Sequence, residues 1–467
     1  MTKKEKLQEL LQELIHAIYS IIKDGLEKGT LQPQVGPYFR WKLTEFEYGD
    51  TGIIKKSAKG EEVLRPYWGR ATRAVFKRVS ELGAHHEVIT AITKDYGVEE
   101  DQCTHYLETI TTKVAGDILA GKIKAPTDSA KYITSLLKDL NGESQEYRAE
   151  VKLKGLVLQP RSIQLDDNVR LRKPNRSDFE REVPVIFPSR GIMALEDPTA
   201  FLHTRVYTEA DAKVDSGFQA SVTLQNEIYR EIAVLRLFRV GAVQYIQYTE
   251  DSDSIIHPGV STLTSGRLRG SDKYLITRED VNLLKAFWAN MKSVTLPSSA
   301  SIGEHREPDE LSIAYDRYGD SLEANVLEKR ISSAVMGLEA LYLGGGEQQE
   351  MSYRLRMRVG KLLGLIGYNP GEVQEKMKDA YNEIRSKYVH GGLLKQKDKQ
   401  RLEKRYGDIN EFSKTVMDYL RASIVALLLR KISKTSLIQK IDDSFLDTSK
   451  DGEIRKLLFM PYDKEAT

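Results

Sequence analysis

The apolar residues change period twice along this chain, and each change alters what a segment can fold into. From Lys3 to about residue 140, they recur at intervals of three and four. Leu7, Leu10, Leu14, Ile18 and Ile21 form one stripe, and Trp68 to Leu82, His85 to Tyr96 and Val98 to Ile123 follow the same spacing. Such spacing places one apolar face along an α-helix. From Val151 the runs shorten and become alternating or β-branched, at Val151–Leu158, Ser162–Leu171, Phe201–Thr208 and Ala242–Tyr248, with Pro, Asp, Asn and Gly between them. These are strand patterns, and two helical stretches, Leu224 to Val240 and Val281 to Met291, sit among them.

A small, polar, proline-punctuated segment, Leu296 through Pro308, then separates this middle part from three further helical patterns. Those are Glu328–Leu343, Met351–Ile366 and Phe412–Arg430. The expectation is a multidomain α+β protein. Residues 1–145 form an N-terminal helical domain, 146–300 a central α/β domain with a sensor or regulatory role, and 301–447 a C-terminal all-α helical bundle. Residues 448–467 are expected to be a mobile polar tail.

Composition narrows the function classes. With 30% charged and 40% hydrophobic residues over 467 positions, the chain is ordinary globular material. The formal net charge is only +2, so attraction to nucleic acid has to come from local clustering. Cys103 is the sole cysteine, which excludes an intrachain disulfide and a multi-cysteine zinc site. His85, His86, Cys103 and His105 fit no familiar metal-ligand spacing, and no metal or other cofactor is expected. The charged, amphipathic start of the chain resembles neither a signal sequence nor a spanning segment. A cytoplasmic protein with no membrane partner is therefore expected.

One stretch carries chemistry: Tyr381-Asn-Glu-Ile-Arg385-Ser-Lys-Tyr-Val-His390-Gly-Gly392. Asn369-Pro370 before it and Gly391-Gly392 after it are helix start and stop signals. Histidine titrates near neutrality and can act as acid or base, while a guanidinium matches two phosphate oxygens. Metal-independent cleavage of RNA needs such groups at the 2′-hydroxyl, the leaving 5′-oxygen and the phosphorane charge. Five residues of ideal helix, however, correspond to a rotation of about 140° and a rise of about 7.5 Å. Arg385 and His390 therefore converge poorly within one protomer. The only other histidine of the C-terminal region is His305, so one copy lacks a separate acid and base. A two-fold homodimer through the C-terminal helices would supply both.

Arg-x4-His followed by Gly-Gly closely resembles the catalytic signature of HEPN domains, in particular the Apea-like group of prokaryotic defence proteins. The resemblance extends to Arg330-Ile-Ser-Ser-Ala-Val-Met-Gly-Leu-Glu-Ala-Leu-Tyr-Leu343 and Glu350-Met-Ser-Tyr-Arg-Leu-Arg-Met-Arg-Val-Gly-Lys-Leu-Leu363, and covers residues 311–445. It implies a helical bundle that dimerises, with a ribonuclease site at the interface that leaves 2′,3′-cyclic phosphate and 5′-hydroxyl ends. On that basis His390 is acid or base and Arg385 holds the scissile phosphate. Tyr381, Ser386, Glu339 and Glu350 are candidate supporting residues. The implied biology is antiphage defence by abortive infection, with RNA as partner and a phage-derived trigger or regulatory protein acting on the rest of the chain. The alternative is a non-catalytic HEPN protein that binds RNA or a partner, or only dimerises.

Toxins of this family that answer to a nucleotidyltransferase antitoxin carry a tyrosine two residues after the histidine. Gly392 stands there instead, so that form of control is not implied. Charge around the motif favours an RNA backbone: Met351 to Tyr406 holds fourteen Lys or Arg against six Asp or Glu. Arg354, Arg358, Lys387 and Lys395 are the candidate RNA contacts. The more distal lysines and arginines after Gly392 read as a solvated helix face. Gly344-Gly-Gly-Glu347 lacks the Lys-Ser/Thr ending of a phosphate loop and is read as a helix connection.

Overall fold

The computed structural model describes residues 2–184, 197–209, 216–255, 262–264, 272–297, 309–347 and 349–462. It is a mixed α+β protein with a helical C-terminal region. The chain divides into two compact units that do not follow the boundaries drawn from the sequence. Unit 1 comprises residues 1–152, 168–228 and 246–264; unit 2 comprises 153–167, 229–245 and 265–467. Residues 298–308 of the segment 296–308, expected to be a linker, lie outside the described residues.

Unit 1 is built on helices α1 (Lys3–Glu27), α2 (Gly69–Ser80), α3 (Gly83–Tyr96), α4 (Glu100–Leu119) and α5 (Ala130–Leu140). Thr2 opens α1 with a capping box, its hydroxyl accepting from the Glu5 amide at 3.2 Å while its own amide donates to the Glu5 carboxylate at 2.6 Å. Leu7, Leu14 and Ile18 bury the expected face of α1, together with Leu11 and Ile22, against Val88 and Ile92 of α3 and Leu107 and Val114 of α4. The helical reading of residues 1–145 misses a long antiparallel hairpin. Strands β1 (Gln34–Tyr48) and β2 (Ile54–Tyr67) pair from Gln34↔Tyr67 to Tyr48↔Ile54, with a register shift between Leu43 and Glu45. Lys55, Lys56, Lys59, Glu61 and Glu62 expose most of β2, so the apolar alternation that signals a half-buried strand is absent.

The sheet of unit 1 includes, in order, β10 (Thr262–Thr264), β9 (Gln244–Ser252), β3 (Ser144–Lys154), β8 (Ala200–Glu209) and β6 (Arg170–Arg172). Strict alternation along β3 buries Gln145, Tyr147, Ala149, Val151 and Leu153, the period of two that a one-sided sheet requires.

In unit 2 a short parallel pair, β4 (Leu156–Leu158) and β11 (Tyr274–Ile276), accompanies helix α7 (Asp280–Met291) and the C-terminal helices. Gly155 before β4 has φ +86°, and a Cβ there would run into the Ala242 carbonyl, so only glycine fits. The C-terminal helices are α8 (Glu310–Glu323), α9 (Leu327–Tyr342), α10 (Met351–Leu365), α11 (Pro370–Asp379), α12 (Ser386–Val389), α13 (Gln396–Tyr406), α14 (Ile409–Leu427), α15 (Lys434–Leu446) and α16 (Asp451–Arg455). Helix α6 (Ser216–Phe238) precedes them in the chain. Gly337 lets α9 lie close to α14, since a Cβ there would meet Leu420 Cδ2 at 2.6 Å. Tyr342 and Ser423 join the same two helices by a buried hydrogen bond of 2.9 Å.

The expected mobile tail is instead docked as far as residue 462. Ile454 is fully buried, the Phe459 amide donates to the Ala426 carbonyl at 2.8 Å, and Tyr462 stacks on Phe287 with ring centroids 5.1 Å apart. One buried isoleucine and one aromatic ring outweigh the polar composition of this segment, because apolar area removed from water sets the balance. Among the described residues no helix is long and apolar enough to cross a membrane. Ile454→Ala is expected to destabilise unit 2 by about 3 kcal/mol in urea unfolding. Leu446→Ala, at a side chain 93% exposed, is expected to stay within about 0.5 kcal/mol of wild type.

Candidate functional site

The helix that carries the motif begins at Asn369, whose side chain accepts from the amides of Gly371 and Glu372 at 3.0 and 3.2 Å, with Pro370 at the first helical position. It is not a regular helix. Ala380–Arg385 forms a π-helical turn between α11 and α12, an irregularity that recurs at functional sites. The helix ends at His390, where the Gly391 amide donates to the Tyr388 carbonyl at 3.0 Å and the Gly392 amide to the Lys387 carbonyl at 2.8 Å. Gly391 has φ +80°, so this pair of bonds closes a Schellman motif that requires a glycine.

The two motif side chains go different ways. Arg385 turns inward, 19% exposed, and its Nη2 donates to Glu339 Oε2 of α9 at 2.8 Å. Its guanidinium lies over the Tyr381 ring, 5.3 Å from the centroid. His390 is exposed at the end of α12, and its imidazole has no hydrogen-bond partner among the described residues. Burial pushes the Glu339 carboxyl above the ordinary glutamate range although Arg385 pulls it down. Burial, and then the Glu339 charge, raises the Tyr381 hydroxyl. Arg385 Nε and Glu339 Oε1 are buried without partners, leaving one unmet donor and one unmet acceptor at the same ion pair.

Arg385, Tyr381 and Glu339 are thus brought together, and Ser386 follows them, partly buried. Glu350 is not part of the group. It is exposed in the left-handed conformation at φ +54°, next to the start of α10, and no hydrogen bond or ion pair joins it to the other three.

Of the candidate RNA contacts, Arg358 is corrected by the structure. It is 3% exposed and all five of its N–H groups are taken. Nε and Nη2 grip Asp442 at 2.8 and 2.7 Å, Nη1 and Nη2 grip Glu347 at 2.7 and 2.8 Å, and Nη1 also donates to the Tyr342 carbonyl at 2.8 Å. A guanidinium so committed offers nothing to a phosphate. Arg354 is half-exposed and shares Glu347 at 2.7 Å. Lys387 is tied to Glu383 and Asp398 at 2.9 and 2.8 Å. Lys395 is exposed, as are Lys397 and Lys404, and none of these three forms an ion pair among the described residues. The acidic residues of the region neutralise much of the remaining basic run, with Arg401 on Glu383 at 2.6 Å and Arg405 on Asp379 at 2.8 Å.

Two exposed apolar side chains flank His390 along the chain. Val389 is 44% exposed, Leu393 64% and Val326 50%. The Leu394 amide donates to Glu328 Oε1 at 3.1 Å, which ties the chain after the motif to the start of α9.

Glu347 and Asp442 are the residues that sequence reasoning passed over. Gly344-Gly-Gly-Glu347 is the connection between α9 and α10, but its glutamate also folds back on the Gly344 amide at 2.9 Å and holds two arginines. The only signal in the sequence was an acid beside a basic helix. Among the described residues, no three or more His, Cys, Asp or Glu are grouped so as to hold a metal ion. Comparison of the chain with protein-family models, with curated proteins and with solved structures finds no match.

Hydrogen bonds from Arg358 pull the Glu347 carboxyl down to about 2 from its ordinary 4.5, against the opposing effect of burial. A depressed carboxyl contributes stability that is present above the unfolded value and is lost as pH falls through the folded one. Wild-type stability is therefore expected to fall between pH 4.5 and about 2. In Glu347→Gln that part of the pH dependence is expected to disappear, as measured by urea unfolding across this range.

Proposed function

We propose that the chain is a metal-independent endoribonuclease of the HEPN type, whose active centre forms when two copies bring their motif helices together. The observation that carries this reading is the exposed His390, flanked along the chain by the exposed Val389 and Leu393. A second copy on that surface buries the apolar side chains and places two histidines and two arginines near one phosphate, which supplies separate acid and base groups. Arg385, held by Glu339 against the Tyr381 ring, is the group that meets the phosphate charge. Lys395, Lys397 and Lys404 attract the RNA backbone.

On this reading the remainder of the chain senses a trigger or holds the nuclease inactive, and RNA degradation in antiphage defence is the biological outcome. One observation favours a non-catalytic alternative, in which the bundle binds RNA or a partner or only dimerises: the Arg385–Glu339 ion pair is complete within one copy and stabilises the helix packing without a substrate.

Wild type is expected to cleave single-stranded RNA in the presence of EDTA, leaving 2′,3′-cyclic phosphate ends. Arg385→Ala and His390→Ala are each expected to lose at least about 100-fold in rate. Val389→Asp with Leu393→Asp is expected to give an inactive monomer by sedimentation. Cleavage by both single variants at the wild-type rate sinks the catalytic assignment, and an active monomer sinks the shared site.

A further inference from the structure

Helix α5 of unit 1 sorts its residues by face. Tyr132, Ile133, Leu136, Leu137 and Leu140 enter the core, while Lys131, Thr134, Ser135 and Lys138 fall at i, i+3, i+4 and i+7 on the other side. That polar face lines a cavity of about 460 Å³ together with Lys113 of α4 and Asp253 after β9. A volume of this order holds a small molecule.

The charge in the cavity is unbalanced. Lys113, Lys131 and Lys138 form no ion pair among the described residues, and Lys131 is presented over the Tyr132 ring, 4.7 Å from its centroid. Asp253, the acid on the wall, is already paired with Arg148 at 2.7 Å, as is Asp251 at 3.0 Å.

Lys113 shows the consequence. Burial draws its ammonium below the ordinary lysine range, while Asp251, Asp117 and Asp139 act on it only weakly in the other direction. Each of those acids has other partners: Asp117 binds Tyr132 and Lys122, and Asp139 accepts from Gln145, Ser254 and the Ile255 amide at 2.9, 3.0 and 2.8 Å. A half-buried ammonium with no counter-ion costs free energy that an anion in the cavity would offset.

We propose that this cavity binds a multiply phosphorylated ligand, its phosphates held by Lys113, Lys131 and Lys138 and by a hydrogen bond from the Thr134 hydroxyl. Three ammonium groups match a diphosphate or triphosphate and exceed what one carboxylate or sulfate can neutralise. The cavity wall reads charge and offers no free aromatic face to a base, since Lys131 covers the Tyr132 ring. The same chemistry occurs on free nucleotides and on the 5′-triphosphate end of RNA. The proposal does not depend on the nuclease reading.

The test uses the full chain at constant ionic strength, with binding followed by calorimetry and by thermal melting. Tripolyphosphate is expected to bind saturably and to raise the melting temperature, and adenosine is expected to do neither. The double variant Lys131→Gln/Lys138→Gln is expected to melt like wild type without ligand, because both side chains are exposed, and to bind tripolyphosphate at least about tenfold more weakly. Lys113→Met should weaken binding independently. ATP binding as well as tripolyphosphate assigns the site to free nucleotides. An RNA that binds only when it carries a 5′-triphosphate, and far more tightly than ATP, assigns it to RNA ends. The proposal is overturned if sulfate reproduces the effect of tripolyphosphate, or if the double variant binds as wild type does.

Discussion

The C-terminal helices depend on one buried guanidinium. Arg358 sits 3% exposed between the end of α9, the Gly344–Glu347 connection and α15, and gives each of them at least one hydrogen bond. Removing an arginine from water is costly, and the cost is met only when every donor is satisfied and the partners are ionised. Glu347 and Asp442 meet both conditions with paired contacts. The connection after α9 is therefore fixed in place, and with it the entry of α10.

The position of the motif follows from that frame. Helix α9 presents Glu339 to Arg385, and the π-helical turn Ala380–Arg385 precedes the short α12, which stops at the Schellman glycines. One motif side chain is thereby drawn in and the other left outside. Within one copy Arg385 is closed on Glu339, with a buried Nε and a buried Oε1 left unmet, while His390 is exposed.

Much of the helical layout was legible in the sequence because period and punctuation agreed. Glu328–Leu343, Met351–Ile366 and the Asn369-Pro370 start coincide closely with α9, α10 and α11. The β1–β2 hairpin was missed although β1 alternates at Phe39, Trp41 and Leu43, since charge at Lys55, Lys56, Lys59, Glu61 and Glu62 removes the alternation from its partner β2. Arg358 and the segment after residue 447 were misread for a common reason. Composition describes which side chains are present, whereas burial depends on what lies opposite, and Asp442, Phe287 and Ala426 are distant in sequence from the residues they hold.

The sequence by itself determined that the motif helix starts at Asn369-Pro370 and stops before Gly391, and that Arg385 and His390 do not share a face, because these follow from local dihedral preference and helical phase. Only the tertiary structure decided which charges are spent on packing and which are left for a ligand. Arg358 and Arg385 look alike along the chain. One is surrounded by two carboxylates and a carbonyl, and the other meets a single carboxylate with an N–H to spare. That difference is set by long-range contacts that no local pattern encodes.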